Sequence, residues 1–128
     1  MVTDRVGDFI IRLKNASVVK RQKVDAPHSK QLEAIAKKLQ VLGFVDAVEK
    51  VGDRTLRVML AYDECGASRI RGVRRLSKPG RRLYISHRDA HKVAGGAGAR
   101  IISTPKGILS DAEARGARAG GETLFEIW

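Results

Sequence analysis

A single cysteine, Cys65, in 128 residues excludes an internal disulfide and suits a reducing compartment. No apolar run approaches the ~18 residues of a membrane-spanning helix, and no charged start leads into an apolar middle. Neither a membrane segment nor a secretory leader is therefore expected, and the chain reads as soluble and intracellular. The length allows one compact unit, or two small subdomains sharing an interface, around a modest core. It leaves no room for a large catalytic architecture. Acid is also scarce: 25 Lys and Arg against 14 Asp and Glu leave a formal charge of +11. Such an excess repels itself unless an anionic partner or solvent absorbs it, which puts nucleic acid first among partners and a membrane surface second.

Signature chemistry is missing too. His87 and His91 stand one helical turn apart, but His28 and Cys65 are remote and no further ligand follows at a recognisable spacing, so no metal is expected. Cys65 has no activating neighbour in sequence and reads as a small semi-buried residue, not a nucleophile. Gly95, Gly96 and Gly98 match neither the dinucleotide fingerprint nor the Walker pattern and read as a flexible loop. Neither a cofactor nor an enzymatic activity is expected.

What is present is periodicity. Val6, Phe9, Ile10 and Leu13 recur on one helical face, which predicts a first helix over about Asp4–Ala16, capped by Thr3 or Asp4. Lys20, Arg21 and Lys23 form a basic loop into an extended piece around Val24 that Pro27 ends. Ser29 opens a second helix with Leu32, Ile35, Ala36, Leu39 and Leu42 as its stripe, and Gly43 stands at the C-cap position. Phe44–Val51 and Thr55–Tyr62 alternate as two strands joined by the tight turn 52–54. Helix, strand, helix, strand, strand packs as helices on one face of a small sheet. Residues 63–68 then form a polar connector, which places a boundary between subdomains 1–64 and 65–128.

Beyond it, Arg69, Arg71, Arg74, Arg75, Lys78, Arg81 and Arg82 crowd into one stretch without an acid. The interleaved Ile70, Val73, Leu76 and Leu83 assign the run to folded strands, with a bulge at Gly72 and a turn at 77–80. Arg82, Tyr84 and Ser86 share an outward strand face. There the Tyr84 ring either stacks on a base or packs against a neighbouring strand. A short helical turn is expected over 88–93, an extended segment over 100–103, and a last strand over 123–128 with Phe125 and Ile127 reaching the core. Between them lies STPKGILSDAEARGARAGG, residues 103–121: a polar loop, a helix opened by the capping box of Ser110 and Glu113, and a stop at Gly120 and Gly121, where left-handed angles carry no penalty.

TDRVGDFIIRLKNA at 3–16, SKPGRRLY at 77–84 and above all STPKGILSDAEARGARAGGE at 103–122, with a near-terminal tryptophan, resemble small-subunit ribosomal protein eight of bacteria. The resemblance covers nearly the whole chain. It implies a two-domain α+β protein with a strand-rich C-terminal half carrying one short capped helix. That half would bind the minor-groove side of an internal helix in the central domain of 16S ribosomal RNA. The N-terminal domain would add RNA contacts beside small-subunit protein five, as part of the cytoplasmic ribosome. The resemblance also allows binding to the protein's own operon messenger, and it requires no homo-oligomer. Carried onto this sequence, the loop contacts fall on Ser103, Thr104 and Lys106, the stacking tyrosine on Tyr84, and further contacts on Gly121 and Glu122. Peripheral contacts fall to Arg75, Lys78 and Arg82, and in the N-terminal half to Arg12, Asn15 and Lys30. Pro105 replaces the family's usual serine, which removes a hydroxyl and an amide donor from that loop position. Arg5 stands where a helix-starting proline is common and weakens the cap assignment.

The implied role fits the chemistry. An A-form groove is read by short donors and aromatic platforms with cations around them. Glu122, repelled by phosphate, would either accept from a base amino group or ribose hydroxyl or orient a neighbouring arginine. Two rivals remain at this point: a basic nuclease in which His87, His91 and scattered acids converge, and a DNA-binding module, for which no helix-turn-helix or zinc-finger pattern is present.

Overall fold

The computed structural model describes residues 4–90 and 96–128. They form two compact units, residues 8–71 and residues 4–7 with 72–90 and 96–128. The architecture is α+β, with antiparallel sheets throughout.

In the first unit, α1 (Arg5–Val18), which enters it at Asp8, leads to β1 (Lys23–Pro27), α2 (Lys30–Leu42), β2 (Val45–Val51) and β3 (Thr55–Leu60), with strand order β1-β3-β2. The apolar stripe of α1 is buried as its spacing predicts, and the helix runs two residues past the expected end, through buried Ser17 to exposed Val18. Asp4 is its cap, accepting the Gly7 amide at 3.0 Å; Thr3 lies outside the described residues. Ser29 accepts the Leu32 amide at 3.1 Å to open α2, and Gly43 closes it in the left-handed region at φ 89°. Leu32, Ile35 and Leu39 of α2 and Leu56 and Val58 of β3 are all buried, each contributing about 1.5–3 kcal/mol.

The connector folds back instead of leading away. The Asp63 carboxylate accepts the amides of Cys65 and Ala67 at 2.9 and 2.8 Å, Tyr62 bridges to Ser68, and Ile70 is buried. The division between units accordingly falls at 71/72, later than the change of composition at 64/65. Cys65 is exposed, contrary to the semi-buried reading, because the loop is held by its backbone and not by packing.

The second unit contains β4 (Val73–Arg75), β5 (Tyr84–Ile85), a 3-10 turn (His87–Asp89), β6 (Ala99–Thr104), β7 (Gly107–Ser110), α3 (Asp111–Ala117) and β8 (Gly121–Ile127). The strand order is β4-β8-β6-β7, with β5 also on β8, so the C-terminal strand is central. The cationic run is strand only at Val73–Arg75; Lys78 and Arg81 then bridge around Pro79 and Gly80. Gly72 makes no bulge. It exchanges backbone hydrogen bonds with Trp128 at 2.9 and 3.0 Å, and a Cβ there would stand 2.6 Å from the indole. The slip in apolar parity arises because Ile70 and Val73 belong to different units.

Two further expectations change. The polar loop after Thr104 is a hairpin, with β7 pairing back on β6. The capping box is present: Ser110 Oγ accepts the Glu113 amide at 3.3 Å, and Glu113 accepts the Ser110 amide at 3.2 Å. The helix stops earlier, however, at left-handed Arg118 (φ 53°), and neither Gly120 nor Gly121 has a positive φ. These glycines permit close approach: a Cβ on Gly121 would stand 2.0 Å from the Ser103 carbonyl oxygen, and one on Gly120 would stand 2.5 Å from that of Ile85. The strict alternation expected over 123–128 is broken by an irregularity opposite Ile101 and Ile102, which lets Leu124 be buried along with Phe125 and Ile127.

Candidate nucleic-acid interface

The pairing of β5, β8 and β6 puts Tyr84 opposite Glu122, and Glu122 opposite Ser103. Directly opposed residues point to the same side of a sheet, so these three side chains form a row across three strands. Their neighbours Ile85 and Ile102 point the other way, where they pack with Ala90 and with Ala114 of α3. The row thus lies on the face of the sheet opposite α3, with Ser103 half-buried and 16% of the Glu122 side chain exposed. Tyr84 is 70% exposed, which removes the reading of its ring as a cross-strand packing partner.

Glu122 is held by the segment between β4 and β5. Its Oε2 accepts from Arg82 Nη1 at 3.0 Å and from the Ser77 hydroxyl. Ser77 is fully buried, and its Oγ accepts the Leu83 amide at 3.1 Å, so its one hydroxyl proton is committed to Glu122. Burial pushes the Glu122 carboxyl up, but the Ser77 and Arg82 hydrogen bonds and the charges of Arg82 and Arg75 outweigh it and hold the group below the usual range. The arginine-orienting reading of Glu122 is therefore realised in the ion pair with Arg82, while Oε1 has no partner among the described residues.

At the end of the row the β6–β7 hairpin turns through Thr104, Pro105, Lys106 and Gly107. The Thr104 hydroxyl donates to the Gly107 carbonyl at 2.8 Å and accepts the Lys106 amide at 3.1 Å, so it serves the turn itself. Ser103 Oγ has no such engagement among the described residues. Pro105 and Lys106 are exposed at the tip, and Lys106 Nζ donates to the Ala117 carbonyl at 3.0 Å, a cation at the C-terminal end of α3. Gly121, beside Glu122, contributes backbone closeness.

The remaining residues do not all converge. Lys78 is exposed beside Arg81 at the turn that follows Ser77. Arg75 is turned inward: Nε and Nη2 donate to Asp4 at 3.1 and 2.9 Å and Nη1 to the Leu124 carbonyl at 2.6 Å. For Asp4, burial raises the carboxyl while Arg75 and the Gly7 amide lower it, with a net depression. Arg12 and Asn15 belong to the first unit, lining an open concavity with Arg21, Lys23, Val24 and Asp25, where Arg12 donates to the Asp25 carbonyl at 2.9 Å. Lys30 is exposed in the first turn of α2. His91 and Gly95 lie outside the described residues, as does the second half of the segment expected to form a helical turn over 88–93; its start lies in the 3-10 turn His87–Asp89.

Sequence reasoning missed Ser77 and Gly7 as parts of this architecture, and of Asp4 it foresaw the cap but not the pairing with Arg75. Gly7 had a local signal, since a Cβ there would stand 2.3 Å from the capping carboxylate of Asp4. Ser77 had none, because its partners Leu83 and Glu122 are set by the strand register.

The family model described as Ribosomal protein S8 matches residues 4–128. The chain is 42% identical over 131 residues to the small ribosomal subunit protein uS8 of Heliobacterium modesticaldum, covering 100% of this chain and 99% of that one. It is 41% identical over 131 residues to the uS8 of Caldanaerobacter subterraneus subsp. tengcongensis, covering 100% and 99%. With the uS8 of Opitutus terrae it shares 40% identity over 131 residues, covering 99% and 100%.

Proposed function

The chain belongs to the ribosomal protein S8 family, and we propose that it is a structural constituent of the small ribosomal subunit in the cytoplasm, a binder of an internal helix in the central domain of 16S ribosomal RNA that aids assembly of the subunit. The observation that carries this reading is the row of Tyr84, Glu122 and Ser103 ending in the Lys106 turn, on a chain of formal charge +11. An exposed ring offers a platform for a base or ribose, a free hydroxyl and a fixed carboxylate oxygen read donors and acceptors, and Lys106, Lys78 and Arg82 supply charge for phosphates. Gly121 and Pro105 shape the backbone of this face. Arg75 supports the face from inside, through Asp4 and the β8 backbone, instead of reaching RNA. Arg12, Asn15 and Lys30 would contact RNA from the first unit, which would also lie near small-subunit protein five. A segment of the protein's own operon messenger with the same groove shape would suit the same row. No catalytic role is proposed.

Titration of the full chain against a central-domain fragment of 16S ribosomal RNA and an unrelated RNA duplex, at several salt concentrations, tests the proposal. Affinity should fall steeply with salt for both, by about 0.7–0.9 logarithmic units per phosphate contact, with the ribosomal fragment bound more tightly throughout. Equal affinity for the two RNAs at every salt concentration would contradict it.

A further inference from the structure

We infer that Ser77 is a positioning residue for RNA recognition, acting through Glu122, whose Oε1, without a partner among the described residues, selects a hydrogen-bond donor on the nucleotide; the inference rests on the RNA-binding reading above. Ser77 is fully buried. Its backbone is anchored on β8, where its amide donates to the Thr123 carbonyl at 3.1 Å. Its hydroxyl accepts the Leu83 amide at 3.1 Å and so has a single direction left in which to donate, toward Glu122 Oε2. The bonds form a one-way chain from the Leu83 amide through Ser77 to the carboxylate, with Arg82 donating at 3.0 Å to the same oxygen. Two donors on one oxygen fix the plane of the carboxylate and leave the other oxygen as an acceptor.

That acceptor stands in the row between the Tyr84 ring and the Ser103 hydroxyl. A carboxylate oxygen rejects phosphate and other carboxylates and accepts from an exocyclic amino group or a ribose 2′-hydroxyl, the two donors exposed on the minor-groove side of RNA. A mobile carboxylate would lose this discrimination by turning toward the surrounding cations. Ser77 confers the orientation from inside the fold, which separates its role from those of Arg82 and Tyr84 on the surface.

A double-mutant cycle decides the matter. Affinity for the 16S fragment is measured for the wild type, Ser77→Ala, Glu122→Ala and the double variant, with binding scaled to the folded fraction. Each single change should weaken cognate binding about tenfold without weakening binding to an unrelated duplex. The double variant should bind no worse than Glu122→Ala, because Ser77 has nothing left to position. Fragments with 2′-deoxyribose or inosine substituted along the bound helix identify the donor: one class of substitution should weaken the wild type and have no effect on Glu122→Ala. In the free protein, a carboxyl NMR titration of Glu122 should move its midpoint upward in Ser77→Ala, since one donor is lost while Arg82, Arg75, Asp4 and Tyr84 remain around the group. If Ser77→Ala does not fold, Ser77→Cys, with its similar volume and weak donor, takes its place in both measurements. Additive losses in the cycle, or an unmoved midpoint, overturn the inference and leave the proposed function standing. A wild type without preference for the ribosomal fragment overturns both.

Discussion

Arg75 and Lys106 both count toward the basic excess, yet they do opposite work. Arg75 has its guanidinium on Asp4 and the Leu124 carbonyl with 13% of the side chain exposed, whereas Lys106 is exposed at a hairpin tip. Arg75→Ala should destabilise the protein by roughly 1–3 kcal/mol, read by urea unfolding, and leave the salt slope of RNA binding intact. Lys106→Ala should leave stability within about 0.5 kcal/mol and lower the slope by about one phosphate contact. Equal slopes for wild type and Lys106→Ala would remove Lys106 from the interface. The sequence reveals the abundance of cations but not which ones turn inward, since the partner of Arg75 lies at the other end of the chain. Acid sensitivity follows from the same contacts. Asp4 and Glu122 are depressed in the folded state from ordinary values of 3.8 and 4.5. The folded state therefore binds protons less readily than the unfolded one, so the stability the two carboxylates contribute is complete above about pH 4.5 and lost as pH falls through their lowered folded values. Unfolding followed from pH 6 downward should show a steeper loss for the wild type than for an Asp4→Asn, Glu122→Gln variant; parallel curves would mean these carboxylates carry no linkage.

Elements were legible where local chemistry decides them and illegible where register does. Ser29 with Gly43 and Ser110 with Glu113 mark helix ends by hydrogen bonds within a few residues, and all four act as the spacing predicts. The strand β7 was hidden because a short strand after Thr-Pro-Lys-Gly is indistinguishable from a polar loop until β6 is there to pair with it. Gly120 and Gly121 were recognised as necessary, but for the wrong reason: the constraint is the neighbouring strand, not the helix end. Gly121→Ala should therefore destabilise by about 1–3 kcal/mol, as overpacking does. Gly116, in the last turn of α3 with open space around it, should respond in the opposite sense, Gly116→Ala stabilising by about 0.4–1 kcal/mol. Thermal unfolding of the two variants checks the pair; a tolerated Gly121→Ala would show that the Ser103 strand yields easily.

At the scale of the molecule, the charge of +11 favours an anionic partner but does not say where it would sit, since cations are spread over both units. The place we propose is marked by three residues of unlike chemistry, Tyr84, Glu122 and Ser103, far apart in sequence and adjacent only in the sheet. Family resemblance named these residues from the sequence; their alignment on one face required the register. Thr104, named with them, belongs to the turn. The most direct test of this assignment is the affinity of a Tyr84→Ala, Ser103→Ala variant for the 16S fragment and for an unrelated duplex at one salt concentration, with folding verified by thermal unfolding. Loss of the ring and the hydroxyl should cost about 2–4 kcal/mol on the ribosomal fragment and leave the unrelated duplex and the unfolding temperature nearly unchanged. An equal loss on both RNAs, or none on either, would contradict the assignment of this face as the specific reader.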